Sequence, residues 1–256
     1  MLTIALAKGR TAADVLPLWT QAGLPIPHDL DESRALVFEL DTEAYGVLRF
    51  LLAKPVDVPT YVSFGVADLG IVGKDVLLES DRDVYELLDL GAASCKLCVA
   101  GTPTEQSRRP RRVATKYPRL ADQYFRSQGV EVEVVNLSGS IELASVIGLT
   151  DRIFDLVQTG ATLKDNGLVV FEEVIDVSAR LIANRSSYRT QRPLVDEFVR
   201  RLSQVVSPVE GPSSVAVASS LEGTSLLQGA SPLEGSRLPS GEGHQLEAEP
   251  RGGNGA

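Results

Sequence analysis

Short apolar runs along this chain alternate with segments in which apolar residues recur every three or four positions. The first pattern predicts buried strands, and the second predicts helices that cover them. The predicted strands are residues 2–6, 35–39, 47–52, 69–72, 113–115, 132–135 and 154–157. The predicted helices are residues 11–22 and 57–64, one that follows residue 72 and runs through 78, and three that begin at 118, 140 and 163. This alternation predicts an α/β fold of mostly parallel sheet covered by helices.

Two further runs, residues 96–100 and 180–184, have the apolar character of continuous strands. At these two places a strand could pass from one sheet to another. We therefore expect two α/β lobes joined by two crossovers, with the second lobe inserted into the first. The expected boundaries are residues 1–92 with 178–205 for lobe I, and residues 93–177 for lobe II.

The composition of the chain changes near residue 206. The segment 206–256 is rich in glycine, serine and proline, and it contains no aromatic residue and no lysine. Its short apolar stretches have no sustained period, so the segment cannot bury enough surface to offset the entropy cost of ordering it. We expect a disordered low-complexity tail.

Length and charge narrow the classes of function. A chain of 256 residues can form one large or two small domains with real cores. The formal net charge of -9 opposes binding to nucleic acid, because the surface repels phosphate backbones. No apolar run approaches the roughly 20 residues needed to span a bilayer. The first residues also lack the basic and apolar regions of a signal peptide, so we expect a cytoplasmic protein without a membrane or nucleic-acid partner.

Cys95 and Cys98 form a C-x-x-C pattern, which is typical of redox and metal sites. A metal site would need further ligands, yet the chain has only two histidines, His28 and His244, and no other cysteine. The surrounding residues, 94–100, predict a strand, on which residues three apart point to opposite faces. We therefore expect two reduced structural thiols, no metal site and no histidine-based catalytic triad.

Candidate chemistry is concentrated between Asp155 and Leu163, where the sequence predicts a strand end, a small polar turn and a helix start. The turn carries the hydroxyls of Thr159 and Thr162, together with Gly160, which lets the backbone approach a ligand. Amide N–H groups at a helix start favour an anion, above all a phosphomonoester. The alternative is an ordinary strand-to-helix turn with Thr159 as its N-cap.

The residues that flank this turn resemble the fingerprint of the ATP phosphoribosyltransferases of histidine biosynthesis. In that family a glutamate, five residues and a glycine precede the pattern D-[LIV]-x-x-[ST]-G-x-T-[LM]. The matching residues here are Glu142, Gly148, Asp155, Leu156, Thr159, Gly160, Thr162 and Leu163. Thr150 stands where the family usually has serine, alanine or glycine, which is a conservative departure.

Other blocks of the chain match the same family in order and spacing. They are the opening strand with its turn at Lys8, Gly9 and Arg10, and residues 49–55, 57–62, 67–75 and 176–184. The resemblance covers residues 1 to about 205. It implies a fold similar to that of type II periplasmic binding proteins.

The resemblance implies an enzyme that transfers phosphoribose from phosphoribosyl pyrophosphate to N1 of the adenine of ATP and releases pyrophosphate. Long members of the family carry a C-terminal regulatory domain that binds histidine. Because the tail cannot form such a domain, we expect the short form. Its expected assembly is a homodimer that joins a regulatory subunit resembling a histidyl-tRNA synthetase in a hetero-oligomer.

Under this resemblance, the phosphate and the ribose have candidate residues. The 5′-phosphate needs amide and hydroxyl donors, which the turn supplies. These residues are Thr159, Gly160, Ala161, Thr162 and Leu163. Asp155 is the candidate for the ribose hydroxyls, and Glu142 is either structural or linked to Mg2+. The Mg2+ ion is expected to be carried with phosphoribosyl pyrophosphate and to bridge its oxygens.

Protein cations are expected to bind the pyrophosphate. The candidates are Lys8, Arg10, Arg34, Arg49 and Lys54. The family often has arginine in place of Lys54, and lysine keeps the charge but loses the bidentate geometry. The candidates for ATP are Asp68, Gly73 and Lys74, although Asp68 and Lys74 would alternatively form a solvated turn pair. No strong base is needed, because adenine N1 carries a free lone pair and positioning supplies most of the rate.

Two other functions fit parts of the sequence. A solute-binding or ligand-sensing protein can share this fold, but it would need a signal peptide or a DNA-binding domain, and neither is recognisable before Leu2. A different phosphoribosyltransferase would place two adjacent acidic residues before its phosphate loop. Here only Asp155 precedes it.

Overall fold

The first of two sheets is built around the N-terminal strand. The computed structural model describes residues 1–28, 30 and 34–206, so the predicted tail lies outside the described residues except for Val206. Numbered in chain order, the strands of this sheet are β1 (Leu2–Ala7), β2 (Val37–Thr42), β3 (Gly46–Ala53), β4 (Leu69–Gly73), β5 (Tyr85–Asp89) and β11 (Ala179–Ala183). Their order is β2-β3-β1-β4-β11-β5. The central strand β1 is parallel to β3 and β4, and the other pairs are antiparallel.

The second sheet contains the predicted phosphate turn. Its strands are β6 (Cys95–Gly101), β7 (Arg112–Thr115), β8 (Glu133–Asn136), β9 (Arg152–Val157) and β10 (Val169–Val177), in the order β10-β6-β9-β7-β8. Strand β7 is parallel to β8 and β9, whereas β6 is antiparallel to β9 and β10. Both sheets are therefore mixed, with parallel pairing confined to the strands around β1 and β7.

Helices follow most of the parallel strands. They are α1 (Arg10–Gln21), α2 (Val58–Ser63), α3 (Lys74–Ser80), α4 (Pro118–Ser127), α5 (Ile141–Val146), α6 (Ala161–Asp165), α7 (Arg185–Thr190) and α8 (Arg192–Val205). Local sequence starts several of them: Pro118 lies in the first turn of α4, where its fixed φ is favourable. Asn184 caps α7, because its side-chain oxygen accepts the amide hydrogens of Ser186 and Ser187.

Each sheet buries apolar residues on both faces. On one face of the first sheet Trp19, Phe50 and Phe198 pack together among fully buried aliphatic side chains. On a face of the second sheet Phe125 and Phe154 lie in one cluster. The aromatic and aliphatic burial on these faces is the main favourable term for folding. The expected α/β fold, with two sheets flanked by helices, is confirmed, but the sheets are mixed where mostly parallel pairing was expected.

The two sheets are tied together by polar contacts between α3 and the start of α4. The Tyr117 hydroxyl donates to Asp75 Oδ2 over 2.5 Å, and both residues are buried. The Glu79 carboxylate accepts the amide hydrogens of Arg119 and Leu120, each at 3.0 Å. Glu79 thereby satisfies two amides of the first turn of α4, which have no acceptor within their own helix.

The chain passes between the sheets at two places that differ from the expectation. Residues 96–100 lie wholly in β6, and residues 180–183 lie wholly in β11, so neither strand crosses. The chain changes sheet at residues 90–94 and at Ser178 instead. These are short connections, β5 to β6 and β10 to β11, between strands of different sheets, which alternation of strands and helices does not predict. The boundaries of two separate lobes stay a prediction, since the described residues of both sheets belong to one compact unit.

Other helices and strands begin or end a few residues from their predicted positions, and some elements were not predicted. Helix α6 begins at Ala161 rather than at 163, and α1 begins at Arg10. The sequence pattern predicts neither β5 nor β10, nor the C-terminal helix α8. Within the described residues, no helix is both long and apolar enough to span a membrane. The expected cytoplasmic location stays a prediction.

Candidate functional site

The candidate site lies where the carboxyl ends of parallel strands meet. Strands β1, β3 and β4 lead into Lys8, Lys54 and Lys74, while β7 and β9 of the second sheet lead into Lys116 and Gln158. One contact joins the two groups, since Arg10 Nη1 donates to Gln158 Oε1 over 2.8 Å. In α/β folds the carboxyl ends of strands are the usual place for a ligand.

The loop after β9 has the geometry of an anion site. Gly160 has φ +74, in the left-handed region that favours glycine, and α6 begins directly after it at Ala161. The amide of Ala161 donates weakly to Thr159 Oγ1 over 3.4 Å, and the side chains of Thr159 and Thr162 are exposed. The first amides of a helix have no acceptor within it, so this turn presents donors to a ligand.

Leu163 anchors the loop rather than facing a ligand with its side chain. It is buried in a cluster with Ile141 and Ile153, between α5 and the second sheet. Because this side chain fixes the first turn of α6 against the sheet, the amides of the loop are held in place before a ligand arrives. Its predicted contribution to substrate binding is therefore limited to its backbone.

Asp155 lies in β9, two residues before the strand ends. Its side chain is only 14% exposed, and Lys116 Nζ lies 3.3 Å from its Oδ1. Burial raises the pKa of Asp155, the charge of Lys116 lowers it, and the negative charge of Glu142 raises it again. The net pKa of Asp155 lies above its usual value. The structure thus brings Asp155, Glu142 and the phosphate loop together.

Lys116 is a site residue that sequence analysis did not identify. It follows β7 directly, and β7 lies beside β9 with Thr115 opposite Phe154. The sequence signal that could have identified Lys116 is the presence of a lysine directly after a predicted parallel strand. The pairing with Asp155, however, depends on which strand lies beside β9, and the sequence pattern alone does not determine that order.

The predicted pyrophosphate cations are spread more widely than expected. Lys8 and Lys54 are exposed at the ends of β1 and β3, at the same edge as Arg10. Arg49, in contrast, lies in the body of β3 and forms an ion pair with Glu39 of 2.6 Å. Arg34 is exposed in the segment before β2. The structure groups Lys8, Arg10 and Lys54, and it separates Arg49 from them.

Gly9 allows the chain to turn from β1 into α1. It has φ +87, a conformation that side chains with a Cβ rarely adopt. The carbonyl of Gly9 accepts the amide hydrogen of Ala13 over 3.1 Å, which starts the helix. Lys8 and Arg10 therefore project from a tight turn at the strand end.

The three predicted nucleotide residues do not lie together. Asp68 precedes β4, whereas Gly73 and Lys74 lie at its opposite end. The Asp68 carboxylate accepts hydrogen bonds from the Thr3 amide, the Ser187 hydroxyl and the Gln191 side chain. These contacts connect β1, β4 and the C-terminal helices. Asp68 therefore holds these elements together.

Gly73 and Lys74 remain at the candidate edge. A Cβ on Gly73 would overlap the carboxylate of Asp75, so only glycine fits this turn without displacing a buried acid. Lys74 Nζ lies 2.5 Å from Glu86 Oε2, and Glu86 also contacts Arg180 at 3.3 Å. Lys74 is therefore held by a partner instead of forming a pair with Asp68.

The environment of the two cysteines does not favour redox or metal chemistry. Both are free and buried, in β6. Burial raises the pKa of Cys95, and burial together with nearby acidic groups raises the pKa of Cys98 to about 11. Thiols with raised pKa values stay protonated at neutral pH and are poor nucleophiles and metal ligands. Among the residues that the structure describes, no group of three or more His, Cys, Asp or Glu side chains could hold a metal ion.

Comparison with known proteins agrees with the resemblance seen in the motifs. The family model "HisG: ATP phosphoribosyltransferase" matches residues 54–204. The ATP phosphoribosyltransferase of Geobacillus sp. (strain WCH70) is 55% identical over 207 residues, which cover 80% of this chain and 99% of that protein. The ATP phosphoribosyltransferase of Bacillus subtilis (strain 168) is 52% identical over 207 residues, with 80% and 96% covered.

A solved structure gives the same result for the fold. It is a chain of the "ATP phosphoribosyl transferase (HisG:HisZ) complex from Thermotoga maritima", with 32% sequence identity and a TM-score of 0.67. The match covers 80% of the present chain and 98% of that chain. Sequence and structure thus point to one family.

Proposed function

The chain belongs to the ATP phosphoribosyltransferase family, and from this premise we propose how its residues bind and orient the substrates. The enzyme transfers the phosphoribosyl group of phosphoribosyl pyrophosphate to N1 of ATP and releases pyrophosphate, the first step of histidine biosynthesis. Two substrates of high negative charge must therefore lie close together in one site.

In this proposal the 5′-phosphate binds to the loop formed by Thr159, Gly160, Ala161 and Thr162. The observation that carries it is the positive φ of Gly160 directly before the first turn of α6. This geometry turns the amides of the helix start outward, and the two exposed threonines add hydroxyl donors. Charge-assisted hydrogen bonds to a phosphate dianion are the strongest that such a loop can make.

Asp155 is proposed to accept hydrogen bonds from the ribose hydroxyls. It lies three residues before Gln158, so a sugar whose phosphate occupies the loop extends back toward the carboxylate. A carboxylate near the anomeric carbon also stabilises the positive charge that develops as pyrophosphate departs. Glu142 lies near enough for its charge to affect Asp155, and it reinforces the negative potential there.

Pyrophosphate is proposed to bind the cations at the opposite sheet edge. Lys8, Arg10 and Lys54 end two adjacent strands, and Arg10 already reaches Gln158 of the phosphate loop. Arg49 is a weaker candidate, because it forms an ion pair with Glu39. Arg34, which is exposed in the segment before β2, is also kept as a weaker candidate. Positive charge at this edge compensates the charge of the leaving group.

Magnesium is proposed to enter with phosphoribosyl pyrophosphate. The oxygen ligands that Mg2+ prefers are available from the pyrophosphate itself, whereas among the described residues no group of three or more His, Cys, Asp or Glu side chains could hold the ion. The ion would supply charge neutralisation of the leaving group. The donor chemistry of the site therefore fits a magnesium ion that the substrate carries.

For ATP, we place the triphosphate near Gly73 and Lys74. Both lie at the end of β4, the same edge as Lys8. Asp68 is now proposed to be structural, because its carboxylate already accepts three hydrogen bonds. Adenine N1 attacks with its own lone pair, so binding and orientation of the two substrates are the main contributions of the protein.

The loop assignment is tested with Thr162→Val, which keeps the volume and removes one donor. We expect affinity for phosphoribosyl pyrophosphate to fall about 10- to 100-fold, as a lost hydrogen bond to a charged group predicts, with ATP affinity nearly unchanged. Thr20→Val, at an exposed position in α1, is the matched control. Equal weakening for both substrates, or for neither, would show that the loop does not bind the phosphate.

We infer that the enzyme works as the short catalytic form in a hetero-oligomer with a regulatory subunit. The support is the similarity to a chain of the HisG:HisZ complex of Thermotoga maritima and the near-complete coverage of relatives. A homodimer of catalytic chains within that assembly also stays a proposal. The predicted histidine response below tests this assignment.

A further inference from the structure

Lys116 forms an ion pair with Asp155, the candidate catalytic carboxylate, and has no assigned role so far. Strands β7 and β9 are parallel with Thr115 opposite Phe154, so the next residues, Lys116 and Asp155, are neighbours across the sheet. Lys116 Nζ lies 3.3 Å from Asp155 Oδ1. The side chain of Lys116 is 40% exposed, whereas that of Asp155 is 14% exposed.

Lys116 is the main compensation for the buried carboxylate of Asp155. Besides this ion pair, a hydrogen bond from the backbone amide of Leu156 favours the charged form. Glu142 adds a second negative charge nearby. A buried carboxylate beside a like charge favours its neutral form, and Lys116 is the first among the groups that oppose this effect.

The position of Lys116 is set by rigid neighbours. The Thr115 hydroxyl donates to the carbonyl of Phe154 over 2.6 Å, and Thr115 Oγ1 accepts the amide hydrogen of Tyr117. Tyr117 is fixed in turn by its hydrogen bond to Asp75, and Lys116 Nζ lies 5.1 Å from the centre of its ring. Lys116 thus stands between two anchored residues, with its ammonium group over an aromatic face.

We propose that Lys116 is a positioning residue for phosphoribosyl transfer, which keeps Asp155 ionised and aligned to accept the ribose hydroxyls. The inference rests on the proposed role of Asp155. An ionised carboxylate accepts two hydroxyl donors, whereas a protonated one loses an acceptor and the negative charge that stabilises the ribosyl cation. The role of Lys116 is therefore exerted through Asp155 and not through a contact with pyrophosphate.

The test is the pH profile of kcat/KM for phosphoribosyl pyrophosphate in Lys116→Met. Without the lysine the pKa of Asp155 rises further, so activity should fall most at acidic pH. We expect a loss of about tenfold at the acidic end of the profile for each pKa unit that the lysine supplies, shrinking toward wild-type activity at the alkaline end. Lys116→Arg should restore the wild-type profile, since it retains the charge.

Lys96→Met is the matched control, because Lys96 is also a partly exposed lysine in an ion pair, with Glu173. It should follow the wild-type profile at every pH. Circular dichroism and thermal melting establish that each variant is folded, and Lys116→Gln replaces the methionine variant if that one is unstable. A loss that is equal at all pH values would overturn the inference, since a lysine bound directly to pyrophosphate gives that result.

A double-mutant cycle separates this inference from the role of Asp155. In an Asp155→Asn background, Lys116→Met should change kcat/KM by less than about twofold, because the group through which Lys116 acts is gone. A further large loss in that background would refute the positioning role. If Asp155→Asn alone leaves kcat/KM unchanged, the proposed function of Asp155 fails, independently of Lys116.

Discussion

Arg10 Nη1 donates a hydrogen bond to Gln158 Oε1 over 2.8 Å, which links the turn after the first strand to the phosphate loop. The two residues are 148 positions apart in sequence, and both are exposed. The contact holds a cation proposed to bind pyrophosphate beside the loop proposed to bind the 5′-phosphate. Both ends of phosphoribosyl pyrophosphate can therefore be bound across the space between the two sheets.

We predict that Gln158→Ala raises the KM for phosphoribosyl pyrophosphate about three- to tenfold, as expected for losing one hydrogen bond that orients a cation. The unfolding free energy should change by less than about 0.5 kcal/mol, because the contact is exposed. Steady-state kinetics and urea unfolding provide the two measurements. Gln128→Ala, at an exposed position after α4, should alter neither quantity. An unchanged KM would mean that the Arg10 contact does not contribute to binding.

We predict that Asp155→Asn stabilises the protein while it lowers activity. The pKa of Asp155 is raised above its unfolded value, so the folded state binds the proton more tightly. Stability is therefore lost as pH rises from the unfolded pKa of Asp155 through its folded pKa, and the full cost is present above the folded pKa. If the cost is on the order of 1 kcal/mol, the variant should melt about 2–4 °C higher at pH 7.

The pH dependence of the difference in melting temperature tests whether ionisation of Asp155 causes it. Well below the unfolded pKa of about 3.9, the carboxylic acid is protonated in both states, so the two melting temperatures should converge. A variant that melts lower than the wild type at pH 7 would show that the charge of Asp155 stabilises the fold. The expected opposite signs for stability and activity are typical of a group placed for function.

We predict that Tyr117→Phe destabilises the protein by about 1–3 kcal/mol, because Asp75 would lose the donor that faces its buried carboxylate. Burial raises the pKa of Tyr117 strongly, so its hydroxyl remains a donor at every accessible pH. Urea unfolding measures the change. Tyr61→Phe, on an exposed face of α2, should cost less than about 0.5 kcal/mol. Equal costs for the two variants would show that the Tyr117 contact adds no stability.

The response to histidine tests the proposed assembly. Feedback control needs a second site and a coupling free energy between the two sites. We predict that the purified chain transfers phosphoribose but responds little to histidine, and that inhibition develops when a synthetase-like regulatory subunit is added. Turnover measured during a histidine titration, with and without that subunit, gives the answer. Strong saturable inhibition of the chain alone would place a histidine site within it.

The sequence by itself determined the local conformation of the loop that is proposed to bind phosphate. The apolar run and the turn residues after it predict a strand, a turn and a helix start, and the structure has β9 ending at Val157 and α6 beginning at Ala161, with Gly160 at φ +74. These features depend on residues a few positions apart. Local conformational preference is therefore sufficient to predict them. The same holds for Gly9 and the turn after β1.

The tertiary structure alone decided which distant residues meet. Lys116 lies beside Asp155 only because β7 is the parallel neighbour of β9, and Asp68 is enclosed by Thr3, Ser187 and Gln191 only because β4 adjoins β1 and α7. Strand order and register arise from the packing of whole sheets, which no local pattern encodes. Burial and charge pairing follow from that packing, and they are the reason why Asp155 is proposed for chemistry and Asp68 for holding the fold together.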